Sequence, residues 1–221
     1  MLRQMLRADP SSLGPEDYDA IAQEYKRTHP DMLIDPQQVA FILKDISYRK
    51  RPFTFLVFGL GEDSALWRWS NPTGRTVFLE DQRMWFDRGS GSDPGIEAYM
   101  VEYQTKLSQA GELLDRPDRL EIELPDALEG VLWDVILVDG PSGDTGYAKY
   151  PNNPEPPGRM CSIFMSSRLA APGCDVFVDD CERAIERIYV DRYLGKRNLV
   201  SGLRSRTLLR HYRLGQTAGF K

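Results

Sequence analysis

Four short apolar runs that each close on glycine or a carboxylate constrain this chain more than any other feature. Residues 53–58 end in Gly59-Leu60-Gly61, 76–79 in Glu80-Asp81, 134–138 in Asp139-Gly140-Pro141, and 175–178 in Asp179-Asp180. Short β-branched and aromatic runs without polar alternation predict strands covered on both faces, as in a parallel sheet. A further strand is expected over 96–103, and two more near 199–203 and 207–214 as an antiparallel edge. Helices are expected between them, over 64–69, 107–114, 159–169 and 182–193.

Two amphipathic helices precede the sheet. Tyr18, Ile21, Ala22 and Tyr25 follow i, i+3, i+4, i+7 from Pro15 to about Thr28, and Val39, Ile42, Leu43 and Ile46 repeat the spacing after Pro36. Before Pro15 the breakers Pro10, Ser11, Ser12 and Gly14 predict a frayed start. The economical architecture is one α/β domain whose first 50 residues form a helical cap. The stretch 140–158, rich in proline and glycine, is too long for an ordinary connection. Its place after the fourth expected strand predicts a substrate lid.

Charge and cysteines exclude several classes. With 28 Lys plus Arg against 33 Asp plus Glu, the net charge of −5 argues against a nucleic-acid binder working by bulk charge. No run approaches the roughly 20 apolar residues of a membrane helix. The expectation is a soluble protein with no membrane segment, cytoplasmic if the chain is complete. Cys161, Cys174 and Cys181 form no C-x-x-C pair and read as small buried apolar residues.

In an open α/β sheet, ligands bind beyond the carboxyl ends of the strands. Here those ends bring several carboxylates together, which would repel one another without a cation or a hydroxyl-rich ligand. Gly59 and Gly61 mark a strand-to-helix turn open to a ligand, although Ser64 stands where a dinucleotide fingerprint has its third glycine. Glu80 ends the next strand, where a carboxylate accepts both ribose hydroxyls. Glu62 and Asp63 favour the sulfonium and amino group of S-adenosylmethionine over a pyrophosphate. Asp139, Asp179 and Asp180 resemble an all-oxygen divalent site; equally, Asp179 caps a helix, Asp180 is solvated and Asp139 belongs to a turn. His29 and His211 lie away from these strand ends, which disfavours a histidine-rich zinc site.

The segments FLVFGLGEDSALW (55–67), VFLED (77–81), VDGPSG (138–143), PGRM (157–160) and VFVDDCER (176–183) come in an order that resembles the plant polysaccharide-biosynthesis family containing the glucuronoxylan 4-O-methyltransferases. The resemblance runs from about Asp35 to Leu214. It implies a Rossmann-like class I methyltransferase fold over 51–221, with a central, mostly parallel seven-stranded sheet. It also implies an S-adenosylmethionine-dependent enzyme that methylates a sugar hydroxyl, O4 of glucuronic acid being the best-known target. The implied acceptor is an acidic polysaccharide or oligosaccharide.

Carried over by position, Gly59, Gly61, Asp63, Ser64, Glu80, Asp81 and Asp139 would bind the cofactor. Asp139, Asp180 and Arg159 would be catalytic. Asp139, Asp179 and Asp180 would hold a divalent Mg²⁺, Mn²⁺ or Co²⁺ that lowers the hydroxyl's pKa, an activation favoured here over Asp139 acting as the base. Tyr147, Lys149 and Arg159 would touch the acceptor, with Arg159 on a uronate carboxylate and Tyr150 beside it in the lid. Arg204, Arg206 and Arg210 would supply a basic rim or a solvated edge. The chain departs from the family at Asp179, where a histidine is frequent, and at Phe53, where a cysteine is usual. Plant members also carry an N-terminal anchor, so a trimmed plant-type form would belong in the Golgi lumen. A catechol-type small-molecule O-methyltransferase and a non-catalytic glycan-binding member are the alternatives.

Overall fold

The two leading helices are set by their first turns. Pro15 opens α1 (Pro15–Thr28), and the Gly14 N–H donates to Asp17 Oδ2 at 2.8 Å. Asp35 caps α2 (Pro36–Ser47): its carboxylate accepts the Gln37 N–H at 2.8 Å, while Gln38 Oε1 accepts the Asp35 N–H at 3.4 Å. This reciprocal pair satisfies donors that a helix start leaves orphaned. The computed structural model describes residues 6–49, 52–144, 146 and 155–215. Ahead of α1 the chain is more ordered than its breakers suggest. Pro10–Ser12 forms a 3₁₀ turn, and the Pro10 carbonyl accepts the buried Tyr18 hydroxyl at 2.6 Å.

The remaining elements in chain order are β1 (Thr54–Phe58), α3 (Ser64–Ser70), β2 (Arg75–Glu80), α4 (Arg83–Ser92), β3 (Glu97–Met100), α5 (Ala110–Leu113), β4 (Trp133–Val138), α6 (Met160–Leu169), β5 (Ala170–Val178), α7 (Ala184–Tyr189), β6 (Leu199–Arg204) and β7 (Leu208–Leu214). One seven-stranded sheet has the order β3-β2-β1-β4-β5-β7-β6. The first five strands run parallel, and β7 pairs antiparallel with both β5 and β6.

The pleat splits the core in two. Leu56, Phe58, Val77, Ile136 and Val176 face Met160 and Ile163 of α6 and Tyr189 of α7. Phe55, Val57, Phe78, Val135 and Phe177 face Trp67 of α3 and the apolar stripes of α1 and α2. The leading helices therefore complete one layer of the sandwich. Exposing any one of these large side chains costs about 1.5–3 kcal/mol.

Several elements differ from the sequence expectation; β5, for one, begins at Ala170 and not at 175. The third strand pairs only over Glu97–Met100, because β2 ends at Glu80 and offers no further ladder. Helix α4 carries no i, i+3, i+4 stripe and contains Gly89, whose missing side chain admits Leu60; a Cβ there would lie 2.5 Å from Leu60 Cδ2. The helix after β5 passes from α-helix into a π-turn over Val190–Gly195. Among the described residues, no helix is long and apolar enough to cross a membrane.

Candidate active site

A cleft of about 500 Å³ opens over the carboxyl ends of β1, β2, β4 and β5. It is lined by the Gly59–Asp63 turn, Glu80 and Asp81, the Asp139–Asp144 segment, Arg159, Asp179, Asp180 and Arg183, and Arg206 and Thr207 from the β6–β7 turn. Ser64 is buried at the start of α3, where its hydroxyl accepts the Gly61 N–H at 3.0 Å. Gly59 adopts φ +110°, and a Cβ there would lie 3.2 Å from the Gly140 backbone nitrogen. Its freedom serves the close approach of the β1 and β4 exits.

Glu80 ties the glycine turn after β1 to the start of the β2–α4 connection. Its Oε2 accepts the Leu60 N–H at 2.7 Å, and Oε1 accepts the N–H groups of Asp81 at 3.1 Å and Gln82 at 2.8 Å. Burial pushes its carboxyl up to about 7, against the lowering effect of those bonds. A folded-state value above the unfolded one means that the empty protein loses stability as pH rises from about 4.5 to 7. A ligand hydroxyl donating to Glu80 favours the ionised form. S-adenosylhomocysteine affinity is therefore expected to rise by up to tenfold per pH unit below about 7 and to level off above it. Calorimetry in buffers of differing ionisation enthalpy reads the released proton, and pH-independent binding would sink the ribose assignment of Glu80.

The acids beside the glycine turn are partly neutralised, which sequence alone did not reveal. Glu62 pairs with Arg88 of α4 at 2.5 Å, and Asp63 accepts the Trp67 indole N–H at 2.5 Å while burial raises its carboxyl. Neither acid is therefore a free charge at the turn.

The far acids are organised by one arginine. Arg159, just before α6 and only 5% exposed, donates from Nη2 to the Asp139 carbonyl at 2.6 Å, Asp139 Oδ1 at 3.2 Å and Asp180 Oδ2 at 2.8 Å. Burial opposes its charge, but Asp180 and Asp139 outweigh that and hold it protonated. Asp180, at φ 61°, also meets Arg183 at 3.0 Å. Asp179 Oδ1 accepts from Gln38 Nε2 at 3.0 Å and Thr207 Oγ1 at 2.8 Å. Gln38 thus joins α2 to the end of β5, a placement that the sequence reading missed.

The donor set does not fit a divalent ion. Among the described residues, the grouping whose ligand atoms lie within 4.8 Å of one another is Asp45, Asp175 and His211; Asp139, Asp179 and Asp180 do not gather so closely. A guanidinium stands among them instead. Of that grouping, Asp175 is already held by Arg49 and Arg213 and faces His211 as well, so it too suits protein cations. Burial raises Asp139 well above the carboxylate range; Arg159 opposes this, and Asp179, Asp63 and Asp180 reinforce it. Its side chain is 22% exposed to the cleft, with no described residue bonded to Oδ2.

Arg204 and Arg210 do not line the cleft, whereas Arg206 does. The ends of the expected lid are anchored, with the Gly158 N–H on the Ser142 carbonyl at 3.0 Å and the Leu107 N–H on the Pro156 carbonyl at 3.1 Å. Tyr147, Lys149 and Tyr150 lie outside the described residues.

A sheet of this order, with β7 reversed, a glycine turn after β1 and a carboxylate closing β2, defines the class I S-adenosylmethionine-dependent methyltransferase fold. The chain belongs to the IRX15/IRX15L/GXM family, whose profile matches residues 37–212. It is 38% identical over 186 residues to Protein IRX15-LIKE of Arabidopsis thaliana, covering 73% of this chain and 55% of that protein. It is 36% identical over 189 residues to Glucuronoxylan 4-O-methyltransferase 1 of the same plant, covering 73% and 63%. The chain therefore spans little more than half the length of these relatives. Among solved structures, it is similar to one provisionally described as a caffeoyl-CoA O-methyltransferase from Staphylococcus aureus, at 10% identity and TM-score 0.51, covering 88% of this chain and 91% of that one. A class I methyltransferase structure from Listeria monocytogenes, also provisionally described, matches at 12% identity and TM-score 0.50, covering 96% and 72%. At such identities the likeness is one of fold.

Proposed function

We propose that this chain transfers a methyl group from S-adenosylmethionine to a sugar hydroxyl of an acidic glycan, with O4 of a glucuronic acid residue as the favoured target. What carries the reading is the placement of Glu80 and Asp139 in one cleft, on either side of the Gly59–Gly61 turn. The curated relatives named as glucuronoxylan and arabinogalactan O-methyltransferases support a polysaccharide acceptor. The cap and the sheet would act as one domain, since Gln38 and the Tyr25 hydroxyl, which donates to the Glu62 carbonyl at 2.8 Å, both reach the cleft wall.

Methyl transfer from a sulfonium is an in-line displacement, so it needs a fixed approach and an activated oxygen. Glu80 would hold the ribose, and the turn from Gly59 to Asp63 would flank the methionine end. Asp139 would take the hydroxyl proton at Oδ2 as the oxygen attacks the methyl carbon. A carboxylate with a raised proton affinity is the better base for so weak an acid. Arg159 would fix Asp139 through its carbonyl and Oδ1, acting as a positioning residue.

The test is calorimetry with S-adenosylhomocysteine, followed by transfer of labelled methyl groups to glucuronoxylan fragments. Micromolar binding with label on the uronate is expected. Label on a catechol but not on the uronate would select the small-molecule alternative, and absence of binding would select the non-catalytic one. Because Arg159 fills the space among the far acids, manganese titration followed by electron paramagnetic resonance is expected to show no saturable site there. Micromolar binding abolished by Asp180→Asn would reverse that view.

A further inference from the structure

We infer that Arg183 is the residue that receives the acceptor's carboxylate, an inference that rests on the acidic-glycan reading above. Among the described residues, three guanidinium groups line the cleft: Arg159, Arg183 and Arg206. Arg159 is the sequence choice for this task, but its surroundings disqualify it. Its Nη2 is shared by Asp139 and Asp180, and its Nη1 is buried away from solvent without a partner among the described residues. An incoming carboxylate would have to displace Asp180 and enter a nearly closed space.

Arg206 is exposed at the outer rim, and its Nη2 donates to the Leu33 carbonyl on the α1–α2 connection. Nothing connects it to Asp139. Arg183 differs from both. Its side chain is 31% exposed, and only Nη1 is engaged, with Asp180 Oδ2 at 3.0 Å and Glu186 Oε1 at 3.9 Å. Among the described residues, Nε and Nη2 have no hydrogen-bond partner, which leaves one edge of the planar fork for a bidentate carboxylate.

The loop after β4 is shaped around this group. A Cβ on Gly143 would stand 2.4 Å from Glu186 Oε1 and 3.0 Å from Arg183 Nη1, so glycine leaves both side-chain ends undisturbed. Arg183 is also linked to Asp139 through an alternating chain of charges. Asp139 to Arg159 is 3.2 Å, Arg159 to Asp180 is 2.8 Å, and Asp180 to Arg183 is 3.0 Å. In a hexuronate the carbon bearing the carboxylate is adjacent to the carbon bearing O4. A carboxylate anchored on Arg183 therefore holds the neighbouring O4 nearer the anchor than the hydroxyls farther round the ring, and Asp139, in the same cleft, would meet that hydroxyl first.

The experiment compares a glucuronic acid-bearing xylo-oligosaccharide with its methyl ester, binding each to protein loaded with S-adenosylhomocysteine. Wild type is expected to bind the acid form more tightly. Arg183→Ala should weaken binding of the acid form by about 10- to 100-fold, close the gap to the ester, and leave S-adenosylhomocysteine affinity unchanged. Arg183→Lys should restore part of the preference, because a point charge replaces a fork. Preserved acid preference in Arg183→Ala, or its loss in Arg206→Ala instead, would overturn the assignment, as would wild type that binds neither form. Binding decides the role of Arg183, and methyl transfer to the same oligosaccharide separately decides the enzymatic reading. Unchanged cofactor affinity shows that the variants are folded.

Discussion

Asp139→Asn should lower the turnover number for a glycan acceptor by about 10²- to 10⁴-fold, the usual worth of a positioned general base. Asparagine keeps the shape of the side chain and an oxygen for Arg159, so S-adenosylhomocysteine binding should stay close to that of wild type. What it removes is the acceptor for the hydroxyl proton. Wild-type turnover should rise with pH as Asp139 ionises, because burial holds its carboxyl protonated well above the ordinary carboxylate range. That rising limb should vanish in the variant. A variant with wild-type turnover, or one whose rate still climbs along the same limb, would remove Asp139 from the chemistry. Asp180→Asn gives the contrasting case. It loosens Arg159 and Arg183 together, so it should raise the acceptor KM as well as depress turnover.

The parts of this protein that could be read from sequence are those fixed by neighbours along the chain. The four runs that became β1, β2, β4 and β5 each carry enough apolar residues to announce a doubly covered strand, and their acidic endings place a cleft on one sheet edge. The stripes of α1 and α2 were equally legible. What escaped depends on partners distant in sequence. Gln38 looks like a helix cap, and nothing local says that its amide reaches Asp179, 141 positions later. Glu62 reads as a free charge until α4, a helix without a stripe, brings Arg88 to it. Arg159 reads as a ligand for substrate, although folding commits it to Asp139 and Asp180 and leaves Arg183 with the open edge.

Asp175→Ala should destabilise the fold by roughly 3–5 kcal/mol, the cost of removing one partner from a buried charge set. Asp175 is 2% exposed in the middle of β5. Its Oδ1 accepts from His211 Nε2 at 2.9 Å and Arg213 Nε at 2.7 Å, and Oδ2 accepts from Arg49 Nε at 2.8 Å. Removing it takes the carboxylate from both guanidinium groups, Arg49 keeping the Gly173 carbonyl, and leaves the buried His211 with only Asp45 Oδ2, 3.7 Å from its Nε2, since Nδ1 lacks a partner among the described residues. Although burial opposes ionisation, His211, Arg213 and Arg49 hold the Asp175 carboxyl down at about 2. A folded-state value below the unfolded 3.8 means that its contribution is present above about pH 4 and is lost as pH falls toward 2. Denaturant titrations at pH 7 and pH 3 should therefore show a smaller gap between wild type and variant at the lower pH. An undiminished gap would mean that packing, not charge, sets the cost. The consequence reaches the cleft, because Arg49 follows α2, His211 and Arg213 lie on β7, and Asp175 ties both elements to β5. The same strands deliver Asp179, Asp180 and Thr207 to the acceptor side, so a variant that unfolds locally here should lose acceptor binding before it loses the cofactor turn on β1.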